Sequence, residues 1–272
     1  QVYNTIRDYD LYTEKQRGAG LNLGRPWFFK TPDFSRVYLG YELENVSYTD
    51  FAGLDAQSEE ILTSSRGTAS RLSFSFVRNS TNNPFYPTSG SRSNLRLELV
   101  GGLLGGSQDY YKPVLDHRVY FVPFFKPAIM LRNRLSWLGT YGSGRVPAGE
   151  TFRLGGTRVD YLRGYPDYEI VPEENIRIDS NGREVRFPGG KVAYIFTAEY
   201  QFPIVNPLRG LFFLDAGNTW NRAMDLSLND LHKGMGAGVR LEIPMLGQVG
   251  LDVAYGIDRS RWQTHFIIGP AF

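Results

Sequence analysis

The chain has 272 residues, a formal net charge of +2, 42% hydrophobic and 14% aromatic residues, 30 glycines and no cysteine. So small a charge gives no reason to expect a nucleic-acid partner, and the absence of cysteine excludes a disulfide framework or a thiolate metal site. No run of about 18 apolar residues exists to make a membrane-crossing helix.

The mean hydropathy of −0.31 suits a soluble protein, but equally a membrane β-barrel, whose strands are polar at alternate residues. Thirty glycines against four methionines predict many turns and little helix. Gln1 is not a natural start and no signal peptide precedes it, so the chain is expected to be a fragment or an ordered portion of something longer.

Residues 1–11 read as the tail of a strand. From Arg17 onward, apolar and polar residues alternate over about ten positions and then give way to a turn, the period and length of a tilted membrane-crossing strand. Ala19, Leu21 and Leu23 share one face. So do Val37, Leu39, Tyr41 and Leu43, then Leu72, Phe74 and Phe76, then Leu95, Leu97 and Leu99. Leu115, Val119 and Phe121 follow, and then Ile129, Leu131, Leu135 and Trp137.

After a long connection the alternation resumes with Val192, Tyr194, Phe196, Ala198, Tyr200 and Phe202, opposite Thr197, Glu199 and Gln201. Phe212, Leu214 and Ala216 oppose Asp215. Ala237, Val239, Leu241 and Ile243 oppose Arg240 and Glu242, and Val249, Leu251, Val253 and Tyr255 oppose Asp252. The last strand sets Trp262, Thr264, Phe266, Ile268 and Phe272 against Gln263, His265 and Gly269. Eleven strands follow the initial tail.

A soluble β-sandwich also alternates, but here the apolar faces are almost free of charge along their whole length. They end in aromatics such as Trp27, Tyr111, Trp137, Tyr200 and Trp262. Lipid contact selects such a band, since Arg or Lys at mid-bilayer costs roughly 2–4 kcal/mol. His117 and Asn133 depart from it and are expected near an interface or under a loop. The fold class is therefore all-β, a transmembrane antiparallel barrel.

The connections fall into two sets. Pro26 and Pro32, Pro84 and Pro87, Pro123 and Pro127, Pro203 and Pro207, and Pro244 mark every second one. The intervening stretches 45–66, 102–109, 142–189, 221–233 and 257–261 are more variable, and two unlike rims are what an outer-membrane barrel shows. Pro113 and Pro270 lie inside strands and predict local breaks in pairing. Asn181-Gly182 reads as a hairpin tip within the long connection.

That connection contains Arg153–Ile170, RLGGTRVDYLRGYPDYEI. Gly155 and Gly156 permit a sharp turn, and Leu162-Arg163-Gly164-Tyr165 holds one cation between large apolar groups. On the residues alone this is equally a solvated loop or a buried one whose Arg needs a carboxylate. Glu199 and Asp215 share luminal parity on adjacent strands and would repel unless a cation sits between them; the alternative is that both line a wet lumen among other charges.

Catalysis finds no constellation: His232 falls in a loop, His117 and His265 are isolated, and no serine sits in a nucleophile elbow. No metal-ligand or calcium-loop spacing is present. Gly234-x-Gly236-x-Gly238 has the period of a strand rather than of a dinucleotide loop, and predicts small residues opening space on the luminal face.

Several stretches resemble a known family. Leu162-Arg163-Gly164-Tyr165 is similar to the Val/Leu-Arg-Gly-Phe/Tyr motif in the sixth extracellular loop of BamA-type outer-membrane assembly factors. Asn83–Arg92 resembles that family's Tyr-Pro-Thr-x-Gly-x-Arg turn, Phe213–Trp220 its Phe-x-Asp-x-Gly-x-x-Trp strand, and Ala198-Glu199-Tyr200 the place of its luminal Glu. The likeness runs from about residue 3 to 272.

The resemblance implies the last eleven strands, and part of one more, of a sixteen-stranded barrel in the bacterial outer membrane. Residues 1–272 are then a partial barrel domain, with 142–189 a long extracellular loop folded into the lumen; the first strands and the POTRA repeats are absent. It also implies that Arg163 docks the loop through Glu199 and Asp215, and that Trp262–Phe272, with Trp262, Phe266, Gly269 and Phe272, is one side of a weak seam whose partner strand is missing. Its expected activity is non-enzymatic and needs no cofactor. Client outer-membrane proteins would be inserted through the seam, with accessory lipoproteins as partners and the bilayer as solvent. The other readings are a superfamily relative exporting a polypeptide through the lumen, as two-partner secretion transporters do, and a passive porin, which the loop motif disfavours.

Overall fold

The structure, a computed structural model, describes all residues except 10–11, 27–33, 52–55, 124–126, 143, 145, 158–159, 179–181, 244–246 and 270–272. Trp27, Asn181, Pro244, Pro270 and Phe272 therefore lie outside the described residues.

Among the described residues, twelve long strands follow one another in a single antiparallel sheet. They are β1 (Val2–Asp8), β2 (Thr13–Pro26), β3 (Ser35–Thr49), β4 (Gly67–Asn79), β5 (Gly90–Val100), β6 (Tyr110–Phe121) and β7 (Ala128–Trp137), then β11 (Val192–Val205), β12 (Leu208–Trp220), β13 (His232–Ile243), β14 (Gly247–Gly256) and β15 (Arg261–Gly269). The short β8 (Gly139–Thr140) pairs with β6, and β9 (Ile176–Ile178) with β10 (Glu184–Arg186) forms a hairpin inside the long connection. Among the described residues β1 and β15 are the free edges of the sheet. No helix among the described residues is long and apolar enough to cross a membrane.

The alternation read from the sequence sorts the two faces. Leu21, Leu39, Leu97, Leu135, Phe212, Leu251 and Phe266 are exposed, whereas Glu44, Arg71, Arg132, Glu199, Asp215 and Asp252 are buried. This inverts a soluble protein, where apolar groups lie inside, and is the arrangement lipid contact requires.

Three outward residues depart from the pattern. Val37 is buried between Arg25 and Phe76 in the register, Val192 between Trp137 and Trp220, and Ala216 between Phe196 and Lys233. In each case longer neighbours cover a smaller side chain. Asn133 is not at an interface or under a loop: it lies mid-way along β7, exposed, and accepts a hydrogen bond from the Tyr194 hydroxyl at 2.8 Å. His117 Nδ1 lies 2.8 Å from Ser93 Oγ. Local partners replace the water these groups lack.

β6 pairs with β7 from Val114 onward and with β8 at Tyr110 and Tyr111, so the ladder breaks at Pro113. The Pro-marked turn 80–89 is closed by side chains: Asn83 Oδ1 accepts the N–H groups of Phe85 and Tyr86, and Asn82 Oδ1 those of Thr88 and Ser89. One element was not expected. The stretch 45–66 continues β3 to Thr49 and then forms helix α1 (Ala56–Ser64), whose Leu62 packs with Val46, Tyr48, Ala148, Val185 and Phe187.

The apolar core lies inside the curved sheet and is built from the long connection. Phe152, Leu154, Leu162, Tyr165 and Ile170 pack with Ala69, Val100, Tyr110, Ala193 and Ile195 of β4, β5, β6 and β11. The connection touches walls on opposite sides of the sheet, which therefore wraps around it.

Candidate functional site

Residues 152–190 form a folded arm closed at its base by reciprocal backbone bonds between Phe152 and Gly190, at 2.8 Å, and between Leu154 and Ile170, at 3.0 Å. At its tip Gly156 N–H donates to Tyr165 O at 2.9 Å. Gly155, Gly156 and Gly164 have φ of 132°, 64° and 94°, the region open to glycine without strain. These turns aim Leu162-Arg163-Gly164-Tyr165 at the β11–β15 wall.

Two facing glycines admit the tip. A Cβ on Gly234 would stand 1.9 Å from Arg163 O, and one on Gly256, opposite it in the register, 2.4 Å from Gly164 O. Of the Gly234-x-Gly236-x-Gly238 repeat, Gly234 together with Gly256 makes the slot that receives the arm's backbone, while Gly236 and Gly238 lie against Val253 and Asp252 of the wall itself.

Arg163 is 2% exposed. Its Nε and Nη2 donate to the two oxygens of Asp215 at 2.7 and 2.8 Å, a bidentate pair, and its backbone N–H reaches Asp215 Oδ2 at 3.1 Å. Nη1 donates to Glu199 Oε1 at 2.8 Å and to Asp252 Oδ2 at 3.3 Å. The guanidinium carbon lies 3.6 Å from the Phe213 ring centroid. Glu199 and Asp215 are diagonal rather than directly opposed, since Thr197 faces Asp215 and Glu199 faces Phe213; the planar guanidinium spans that offset.

Around it, Gly164 N–H donates to His265 Nε2 at 3.2 Å, and the Tyr165 hydroxyl donates to Asp258 Oδ2 at 2.8 Å and Lys233 O at 3.0 Å. Leu162 is fully buried.

The structure thus brings Arg163, Glu199 and Asp215 together and adds Asp252, with Arg240 bound to it across β13–β14. Asp252 and Arg240 had luminal parity in the sequence, but parity alone does not reveal that the wall curves to set β14 against the same arm. Two histidine expectations are corrected. His265 is not isolated, because strand β15 presents it to Gly164; His232 is not in a loop but opens β13, with Nδ1 2.9 Å from Asp258.

A second anchor has no counterpart in the sequence reading. Glu150, in the same connection, accepts from Arg71 of β4 at 2.6 Å and from Lys112 of β6 at 2.7 Å. Arg71 also meets Glu44 at 2.6 Å and Glu98 at 3.2 Å. Burial disfavours the Glu150 carboxylate, but Lys112 and Arg71 outweigh burial and hold its pKa well below the ordinary range. Asp160 of the arm meets Arg134 at 2.7 Å. The loop is thus pinned by cations on one wall, Arg71, Lys112 and Arg134, and by carboxylates on another.

Of the residues expected at a seam, Trp262 and Phe266 face outward on β15 and Gly269 ends that strand.

A lipid-facing sheet wrapped around a charged lumen and filled by its own loop defines a transmembrane β-barrel of outer-membrane type. The Omp85 superfamily domain matches residues 1–272, and the chain belongs to that superfamily of outer-membrane barrels. It is 27% identical over 266 residues to the outer membrane protein assembly factor BamA of Nitratidesulfovibrio vulgaris, covering 96% of this chain and 31% of that protein. The BamA structure from Haemophilus ducreyi lacking POTRA domains 1–3 superposes with a TM-score of 0.74 at 20% identity, over 94% of this chain and 53% of that one. CdiB from Acinetobacter baumannii gives 0.57 at 13%, over 94% and 42%. The chain therefore spans about a third of the BamA relative's length.

Proposed function

We propose that the chain is the barrel part of a BamA-like factor that inserts and folds client outer-membrane β-barrels. The carrying observation is the Arg163 arm locked by three carboxylates inside the lumen, in a chain 27% identical to a BamA over 96% of its length. A plugged lumen suits a protein that works at its wall and not through its bore.

In this reading the work is done at strand edges, without catalytic residues or cofactor. An incoming client strand pairs with an unpaired edge by β-augmentation, and burial of the client's apolar face in lipid drives the exchange. The outward face of β15, with Trp262 and Phe266, forms one side of the opening. Accessory lipoproteins would engage regions of the full protein beyond this barrel.

The second reading is a superfamily transporter that exports a polypeptide through the lumen, which the structural likeness to CdiB favours. Depleting the full-length protein in cells discriminates the two. Assembly requires a fall in many outer-membrane proteins at once, restored by the wild-type gene. Loss of a single secreted protein with normal outer-membrane protein levels would support export instead.

A further inference from the structure

A cavity of about 550 Å³ lies beneath the arm, towards the Pro-marked turns, and seven of its lining residues are arginines against two carboxylates, Asp116 and Glu199. The register stacks these cations on one another. Arg92 faces Arg118 and Arg118 faces Arg132 across β5–β6–β7, while Arg209 faces Arg240 across β12–β13. Directly opposed like charges destabilise a sheet unless something neutralises them.

The protein supplies only part of that neutralisation. Asp116 is shared by three guanidiniums, Arg132 at 2.5 Å and Arg118 and Arg134 at 3.2 Å, and Arg134 also has Asp160. Arg163 is taken by Asp215, Glu199 and Asp252, and Arg240 by Asp252. Arg209 is 7% exposed, its ring contact is Tyr86 at 4.8 Å, and its Nη2 is buried with no hydrogen-bond partner among the described residues. An unmatched buried guanidinium donor is costly, and here it lines a cavity already rich in cations.

We propose that this cavity binds a phosphate-type oxyanion, with Arg209 as its principal donor. Several guanidiniums around a small polar space are the donor set that planar, bidentate recognition of phosphate uses. Tyr86 holds the Arg209 side chain in place from the turn, its hydroxyl donating to Gln201 O at 3.3 Å. The site is independent of whether the barrel assembles clients.

The test is calorimetry on the full-length protein in a zwitterionic bilayer nanodisc, titrated with inorganic phosphate in phosphate-free buffer at fixed ionic strength. Saturable binding is expected, weakened at least about tenfold in Arg209→Gln and less in Arg209→Lys, which keeps the charge but loses the fork. Arg222→Gln, at an exposed pair with Asp225, should bind as wild type does. Heat-modifiable gel mobility checks that each variant is folded.

Competition by a soluble short-chain phosphatidic acid, but not by the matching phosphatidylcholine, would identify a lipid headgroup as the source; its failure would identify the free ion. No saturable binding, or equal binding by wild type and both Arg209 variants, would overturn the proposal.

Discussion

Removing the Arg163 guanidinium is the perturbation whose size can be worked out most fully. In Arg163→Ala, Glu199, Asp215 and Asp252 lose their shared cation, and their side chains are 9%, 0% and 0% exposed. Taking one partner from a buried ion pair costs about 3–5 kcal/mol, because the remaining charge is left uncompensated. Arg240 remains beside Asp252 and offsets part of this, so the lower end is expected.

The loss falls on the arm and not on the barrel ladders, whose backbone pairing does not involve Arg163. At 1.4 kcal/mol per tenfold, about 3 kcal/mol corresponds to a roughly 100-fold rise in local opening. Hydrogen exchange at Leu162–Tyr165 should quicken by that factor, with β11–β14 unchanged, and limited proteolysis should newly cut within 153–170. Arg163→Ala combined with Asp215→Asn should recover part of the protection, since one unpaired charge is removed. Unchanged exchange in the single variant would refute the reasoning that this ion cluster holds the arm.

Other expectations follow from the same geometry. Gly234→Ala keeps every charge but places a Cβ on Arg163 O, so it should free the arm as Arg163→Ala does, read by the same exchange measurement. The Glu150 clasp has a folded-state pKa below the unfolded value. Its contribution is therefore complete above the ordinary carboxylate pKa of about 4.3 and fades as pH falls from there towards the folded value. Proteolytic release of the loop measured down a pH series should show this, and Glu150→Gln should flatten the Glu150 part of the profile while weakening the clasp by about 1.5–3 kcal/mol. Leu251→Arg, on the exposed face of β14, should destabilise the folded barrel in vesicles by up to about 2–4 kcal/mol in a urea titration; a change within about 0.5 kcal/mol would mark that face as water-exposed.

Much of the architecture was legible because a membrane strand needs one apolar face, and the period-two alternation reports it directly. Leu21, Leu97 and Phe212 needed nothing but their neighbours to be placed outside. The Arg163 cluster was legible through parity combined with a motif resemblance: parity put Glu199 and Asp215 inside on adjacent strands, and the motif supplied the cation.

What escaped depends on curvature. Asp252 lies two strands from Asp215, and His265 three; only a wrapped wall brings both to the same arm. The Arg71–Glu150 clasp spans the lumen between residues 79 positions apart, a relation no local spacing encodes. Helix α1 was hidden because AQSEEILTS has weak amphipathicity and is anchored chiefly by the adjacent pair Ile61 and Leu62.

The most direct measurement of the central claim reconstitutes the full-length protein in liposomes and follows folding of an added outer-membrane barrel by its heat-modifiable gel shift. Wild type should accelerate that folding over empty liposomes, and Arg163→Ala should lose most of the acceleration while remaining a folded barrel itself. No acceleration by wild type, or full acceleration by a variant whose arm is demonstrably released, would contradict the account.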